Sequence, residues 1–344
     1  MKIAIQNRSG VRTFDCDEDE AILHAGLRDG LNLPYECATG TCGTCRARLI
    51  SGDVDVAWKE APGAANFKPD KGDILMCQTH PRSDCVLRVP PDPAMAAKFP
   101  PTVRRGIVRN KKQLTRDVVH FDIDLSAPIT FEAGQFIIVE TPDFRGARAY
   151  SMVNFGTSCT TVKLALKRKL GGRFSDWIFG EHAGDPEVRV FGPLGRAIFR
   201  PEEGKNIICI AGGSGIAGMM SILDCAVKSG HFRDHKGAIY FGVRTLQDMF
   251  YLEELSWLAE ASNGNLEVTV ALSDEPAMTP TVPNFPNLNL AGGFVHQVAE
   301  KAIAGRHDDT IVYIAGPPVM VNAATRALII GGFSAQDIRY DKFS

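Results

Sequence analysis

The sequence predicts a multidomain chain that joins α+β and α/β architecture in three successive parts. Three observations predict it. Four cysteines, Cys37, Cys42, Cys45 and Cys77, fall together near the N-terminus. Short β-like runs separated by turn residues then fill the stretch from Val103 to Phe199, the pattern of an antiparallel β-barrel. From Lys205 onward, short apolar runs alternate with helix-length segments, the pattern of a parallel sheet covered on both faces. The length of 344 residues agrees, since an ordinary domain holds roughly 150.

Composition narrows the class. Apolar residues make up 44% and charged residues 23%, as in a soluble globular chain. A formal net charge of −2 gives no case for a nucleic-acid binder. Nine cysteines are too few for a disulfide scaffold. The first residues reach Arg8 without an apolar stretch, so no secretory signal is expected. The uncharged run Ile207 to Leu223 is interrupted by Gly212-Gly213-Ser214-Gly215 and reads as strand, turn and helix rather than a bilayer span. The expectation is a cytoplasmic protein with free or metal-bound thiols, and no membrane or nucleic-acid partner.

In the first part, Ala21 to Asp29 reads as a helix stopped by Gly30, and Arg46 to Ile50 as a strand. Between them lies Cys37-Ala-Thr-Gly-Thr-Cys42-Gly-Thr-Cys45, a C-x4-C-x2-C run, with Cys77 further on. This is the spacing of plant-type 2Fe-2S ferredoxins, in which four thiolates hold two irons. Gly40 and Gly43 let the backbone curl so that amides face the sulfurs. Structural zinc favours two closely spaced cysteine pairs, and Cys77 has no near partner before Cys85, so iron–sulfur fits better. Around these residues, Pro34-Tyr35-Glu36-Cys37 through Cys45-Arg46 resembles the ferredoxin domain of bacterial oxygenase reductases, which implies a β-grasp fold here.

Pro90-Pro91-Asp92-Pro93 and Pro100-Pro101 mark the first boundary, because paired prolines favour extended backbone. The expected division is 1–92, a linker over 93–102, then 103–202 and 203–344.

In the second part, Arg148-Ala149-Tyr150-Ser151 resembles the R-x-Y-S flavin signature of the ferredoxin–NADP reductase superfamily. The resemblance implies that Arg148 neutralises a flavin phosphate, Tyr150 packs on the ring system, and Ser151 hydrogen-bonds near the hydride-accepting nitrogen. Gly172-Arg173-Phe174-Ser175, opening a helical piece, resembles the G-x-x-S where amides meet the pyrophosphate, and Lys167 precedes it at a place the superfamily often makes basic. With the ferredoxin part first in the chain, the resemblance implies FAD rather than FMN.

In the third part, Gly212-Gly213-Ser214-Gly215 follows a strand and starts a helix, which suits an approaching phosphate. With Ile216-Ala217-Gly218 it resembles G-G-[ST]-G-x-A-P, Gly218 standing where the proline is usual. Ala315-Gly316-Pro317-Pro318-Val319-Met320 resembles C-G-P-P-x-M, with Ala315 replacing the cysteine near the nicotinamide. The resemblance implies nicotinamide binding by Gly316, Pro317 and Met320. Arg244 and Asp248 follow the second strand, where a basic residue suits a 2′-phosphate and an acidic one suits free ribose hydroxyls. They pull in opposite directions; NADH is expected, with NADPH as the second candidate. Phe343 is the candidate aromatic stacked near the flavin, beside Ser151 and Tyr150 as residues of the catalytic centre.

The remaining features read as structural. Cys16, Cys85, Cys159, Cys209 and Cys225 are expected to be packing thiols, His24 a packing residue, and His80 a surface one. Lys111-Lys112 and Glu253-Glu254 look like solvated charges.

Taken whole, the chain resembles the single-polypeptide reductase components of ring-hydroxylating dioxygenases and bacterial multicomponent monooxygenases, the group serving naphthalene and carbazole dioxygenases and toluene monooxygenase. The resemblance implies an NAD(P)H-dependent oxidoreductase in aromatic-compound degradation. Hydride passes from NADH to FAD, and single electrons leave through the 2Fe-2S cluster to a terminal oxygenase or its ferredoxin. It also implies transient docking near the cluster and a monomer. Two alternatives stay open: a reductase of the same architecture serving a deoxysugar dehydratase, and a redox-sensing iron–sulfur module with a vestigial flavin part.

Overall fold

A computed structural model describes residues 1–8, 10–90, 98–144, 146–180, 185–305 and 308–342. The linker expected over 93–102 therefore lies partly outside the described residues, and Phe343 lies wholly outside them.

The first part is a mixed sheet with one helix packed on it. Its elements are β1 (Lys2–Asn7), β2 (Gly10–Asp15), α1 (Ile22–Arg28), β3 (Arg46–Ser51), β4 (Val54–Val56), β5 (Asp73–Leu75), β6 (Thr79–Pro81) and β7 (Cys85–Arg88). The sheet runs β2-β1-β7-β3-β5, and β4 pairs with β6 apart from it. β1 and β7 are parallel while β1 and β2 form a hairpin. Six of the seven residues of α1 are buried, so only Arg28 reaches outward.

The second part comprises β8 (Thr102–Thr115), β9 (Val118–Ile129), β10 (Phe136–Glu140), β11 (Ala147–Ser151), β12 (Cys159–Lys167), α2 (Arg173–Phe179) and β13 (Glu187–Leu194). All neighbours in the order β11-β10-β13-β8-β9-β12 are antiparallel. A bridge between Met152 and Leu164 joins the two edges of the sheet. Two strands are longer than the short runs expected, because the bulges between Arg109/Lys112 and Gln113/Thr115 let β8 bend around the barrel. Lys111, expected to be solvated, donates to the carbonyls of Ile178 and Gly180 and so caps the C-terminal end of α2.

The third part holds β14 (Asn206–Gly212), α3 (Ile216–Lys228), β15 (Gly237–Val243), α4 (Leu252–Ala261), β16 (Leu266–Leu272), β17 (Thr281–Val282), β18 (Phe285–Gly292), α5 (Val295–Ile303), β19 (Thr310–Gly316), α6 (Pro318–Ile330) and β20 (Ile338–Lys342). The order is β17-β18-β16-β15-β14-β19-β20. The sheet is parallel except at one edge, where the short β17 pairs antiparallel with β18 and covers it. Residues of α3 and α4 pack on one face, and residues of α5 and α6 on the other. Among the described residues no helix is long and apolar enough to cross a membrane.

The parts share cores. The barrel residues Phe136, Ile138, Phe191 and Leu194 belong to the same apolar cluster as the first sheet and α1. Val118, Ala133, Ala165 and Ala197 of the barrel join the cluster under α3. The barrel thus stands between the cysteine loop and the parallel sheet, in contact with both.

Candidate functional site

The cysteine loop runs between α1 and β3. The sulfurs stand in two pairs, Cys37 to Cys42 at 3.3 Å and Cys45 to Cys77 at 3.2 Å. Backbone amides of Thr39 and Thr44 point at the sulfurs of Cys37 and Cys42, both at 3.5 Å. Gly43 has φ +84°, and a Cβ there would lie 2.7 Å from the Gly63 carbonyl oxygen, so glycine is required for both reasons. Cys37, Cys45 and Cys77 are buried and Cys42 is half-exposed.

This arrangement fits two metal ions better than one. A 2Fe-2S cluster takes two thiolates on each iron, and the loop together with Cys77 presents two pairs. A structural zinc takes four ligands around a single centre. Among the described residues no group of three or more His, Cys, Asp or Glu surrounds one point. Within each pair the two sulfurs lie within hydrogen-bond reach of each other. The Cys42 thiol holds the Cys37 pKa down to about 4, while Cys42 is pushed up by the same bond, as Cys77 is by Cys45. Two thiolates this close need a cation between them to be charged together.

The loop is tied to the barrel. The His24 ring stacks on Phe191 with centroids 4.7 Å apart and donates from Nε2 to the carbonyl of Ala38 at 3.2 Å. His24 is buried, and it links the loop to the barrel as well as packing. The amide of Gly195 donates to the Tyr35 hydroxyl at 3.1 Å, the Arg196 guanidinium lies 4.8 Å from the Tyr35 ring centroid, and it donates to the Leu33 carbonyl at 3.0 Å. His80, expected on the surface, is half-buried.

On the barrel, β11 carries Arg148, Ala149, Tyr150 and Ser151, with Arg148 exposed and Ser151 buried. Among the described residues the Ser151 hydroxyl has no hydrogen-bond partner. A buried donor left unsatisfied is costly, and a flavin nitrogen is a group that would satisfy it. Tyr150 leans on Phe174 of α2 with centroids 5.4 Å apart, so the strand and the helix form one aromatic wall. Burial pushes the Tyr150 phenol up, keeping it neutral. Ser175 is engaged within its own loop: its hydroxyl donates toward the carbonyls of Lys169 at 2.9 Å and Gly172 at 2.8 Å. It shapes the turn at Gly172 rather than reaching outward. The Arg173 guanidinium lies 4.7 Å from the Phe144 ring centroid. Lys167 is drawn to Asp117, with Nζ to Oδ2 at 3.5 Å.

In the parallel sheet the two glycine loops meet. A Cβ on Gly215 would lie 2.3 Å from the Ala315 carbonyl oxygen, so the turn through Gly212, Gly213 and Ser214 can close only on a glycine. Gly212 faces Pro317 and Met320, from which a Cβ on it would lie 3.2 and 3.1 Å, and a Cβ on Gly316 would lie 3.1 Å from the Gly212 amide nitrogen. These loops end β14 and β19, where the strand order reverses, and such a crevice is where open α/β sheets hold ligands. Arg244 and Asp248 are not rivals: they pair with each other, Nη2 to Oδ1 at 2.8 Å.

Sequence reasoning missed Asp117 and Gly63 as members of these surroundings, and it gave Tyr35 no role beyond the motif around Cys37. Pro62-Gly63 carried a turn signal that could have drawn attention to Gly63. Asp117 and Tyr35 acquire their places only by contact with segments far away in sequence.

Comparison with known proteins adds independent support. Residues 6–82 match the 2Fe-2S iron–sulfur cluster binding domain, residues 105–199 the oxidoreductase FAD-binding domain, and residues 209–326 the oxidoreductase NAD-binding domain. The ferredoxin–NAD(+) reductase component of an alkene monooxygenase system from Xanthobacter autotrophicus is 35% identical over 336 residues, covering 96% of this chain and 98% of that one. A ferredoxin–NAD(P)(+) reductase of Metapseudomonas resinovorans is 31% identical over 335 residues, covering 95% and 96%. A solved ferredoxin reductase in carbazole 1,9a-dioxygenase superposes with a TM-score of 0.87 at 28% identity, over 100% of this chain and 99% of that one.

Proposed function

Because the chain belongs to the family of ferredoxin–NAD(P)(+) reductase components of oxygenase systems, we propose that Cys37, Cys42, Cys45 and Cys77 hold its 2Fe-2S cluster, that β11 and α2 hold its FAD, and that the loops after β14 and β19 hold NADH. The protein is an NAD(P)H-dependent oxidoreductase. When bound, these groups supply hydride acceptance, division of the electron pair and single-electron delivery.

The chain's own residues have distinct tasks in this reading. Ser151 donates its unpartnered hydroxyl to the flavin ring, and Tyr150, held by Phe174, keeps water from one side of it. Arg148 and Arg173 offset phosphate charge; Ser175 fixes the Gly172 turn. Gly212, Gly213, Ser214 and Gly215 bring backbone and the start of α3 to the dinucleotide, and Gly316, Pro317 and Met320 bound the opposite wall. His24 and Tyr35 hold the cysteine loop on the barrel, which fixes the distance an electron must cross. Phe343 is kept as the candidate aromatic at the flavin.

The partner is a terminal oxygenase or its ferredoxin, and it docks transiently over residues 41–44. These four form a half-exposed edge of a mostly buried loop, which Tyr35 joins to the barrel. The reading keeps the division 1–92, 93–102, 103–202 and 203–344, a monomer and a cytoplasmic location.

The observation that carries this reading is the buried Ser151 hydroxyl, unpartnered among the described residues and placed where the flavin strand meets the start of α3. An anaerobic NADH titration followed by absorbance tests it. Flavin bleaching and cluster reduction should advance together. Bleaching with an unchanged cluster spectrum, or no bleaching, would overturn it.

A further inference from the structure

A charge cluster drawn from three segments stands at the end of β15. Asp117 lies in the turn between β8 and β9 of the barrel, and its Oδ2 is 3.0 Å from Arg244 Nη2 and 3.5 Å from Lys167 Nζ. The same Arg244 Nη2 donates to Asp248 Oδ1 at 2.8 Å, and the Thr245 hydroxyl donates to Asp248 Oδ2 at 3.0 Å. Two carboxylates therefore converge on one guanidinium nitrogen. Both are largely shielded, with side-chain exposures of 20% for Asp117 and 16% for Asp248. Burial opposes the charge on Asp248, but the bonds from Arg244 and Thr245 outweigh it and hold its carboxyl below the usual range. The Asp117 carboxylate is oriented locally by the Thr115 hydroxyl at 3.2 Å, and its carbonyl accepts from the Arg168 amide at 2.7 Å.

The position decides what this cluster does. At the end of the second strand of a dinucleotide-binding sheet, an arginine receives a 2′-phosphate and an acidic residue receives free ribose hydroxyls. Arg244 taken alone would favour NADPH. With two carboxylates already on it, a phosphate bearing about −1.5 to −2 charge would have to displace one of them and face the other. Asp248 lies, like Arg244, in the segment that follows β15, whereas Asp117 is supplied by the barrel. The selection is thus imposed from outside the domain that binds the nucleotide.

We propose that Asp117, a residue of the flavin barrel, is a specificity-determining residue that selects NADH by holding Arg244 away from a 2′-phosphate. The inference rests on the reading of the β14–β15 crevice as the nicotinamide dinucleotide site.

The test is steady-state oxidation of NADH and NADPH by the full-length holoprotein, with ferricyanide as acceptor. The variants are Asp117→Asn, Asp117→Glu and the double variant D117N/R244A. D117N should raise the NADPH-to-NADH ratio of kcat/KM by at least about tenfold, which corresponds to about 1.4 kcal/mol, through a lower KM for NADPH. D117E, which keeps the charge, should keep the wild-type preference, and D117N/R244A should lose the gain. An unchanged ratio in D117N overturns the proposal, as does a gain that survives removal of Arg244 or one that D117E shares. A wild-type protein that oxidises neither nucleotide would instead overturn the reading of the crevice. The two failures are therefore told apart by the wild-type control.

Discussion

The Ser151 hydroxyl at the end of β11 stands against Gly218 in the first turn of α3, where a Cβ on the glycine would lie 3.4 Å from Ser151 Cβ and Oγ. The flavin strand and the nucleotide helix thus touch at a buried hydroxyl that has no partner among the described residues. Leaving such a group unsatisfied costs about 1–3 kcal/mol. Ser151→Ala should therefore leave the melting midpoint of the flavin-free protein unchanged or raise it. In the holoprotein the same variant should slow flavin reduction by NADH, followed by stopped-flow absorbance, by about tenfold or more for the lost hydrogen bond. A parallel loss of stability and rate would mean that Ser151 only packs.

Gly218 itself is open to substitution. The contacts its Cβ would make outside its own helix are ordinary van der Waals distances, and the nearest of these from backbone is the Gly134 carbonyl oxygen at 3.7 Å. Glycine in a helix costs up to about 1 kcal/mol relative to alanine. Gly218→Ala should raise the unfolding midpoint while the flavin content stays constant. A drop in midpoint would show that the junction of α3 with β11 has no room for a methyl group.

What was legible in the sequence was local. Cys37, Cys42 and Cys45 lie in one loop, and the glycines at 212, 213 and 215 in one turn, so their spacing carries the chemistry directly. The alternation after Lys205 was legible because each strand and helix obeys its own periodicity. What was hidden arises between segments. Arg244 and Asp248 read as opposed specificities until Asp117, more than a hundred positions earlier, is seen to close on Arg244. His24 read as a packing residue, and nothing in its neighbourhood announced Phe191 across the interface. Lys111 looked solvated because the carbonyls it caps belong to a helix formed far downstream.

Asp341 gives the fold a pH dependence of definite sign. It lies on β20 opposite Ala315, and burial first, then the charge of Glu36, push its carboxyl up to about 7. The folded chain therefore holds a proton that the unfolded chain releases from about pH 4 upward. Stability falls as pH rises from there to about 7, and the full penalty is present above it. Asp341→Asn removes the ionisation. Its melting midpoint should exceed that of the wild type by more at pH 8 than at pH 5, with Glu36→Gln giving a smaller change in the same direction. A difference that does not vary with pH would show that Asp341 is not buried in its charged form's disfavour.

Gly63 bears on the cysteine loop from outside the motif. Its amide donates to the Gly40 carbonyl at 3.0 Å. A Cβ on Gly63 would lie 2.6 Å from the Gly43 amide nitrogen and 2.8 Å from the Gly40 oxygen, contacts with backbone that no rotamer relieves. Gly63→Ala should therefore push the loop out of shape and lower the cluster content seen in visible absorbance. Cys77→Ser, which removes one of the four sulfurs, should abolish it. Neither substitution touches the barrel or the parallel sheet, so NADH oxidation with ferricyanide, which can take electrons from the flavin, should persist in both variants. Reduction of cytochrome c through the cluster should fall with cluster content. If Cys77→Ser kept a full cluster spectrum, the ligand set would be wrong; if Gly63→Ala kept one, the loop would have to tolerate a contact that van der Waals radii forbid.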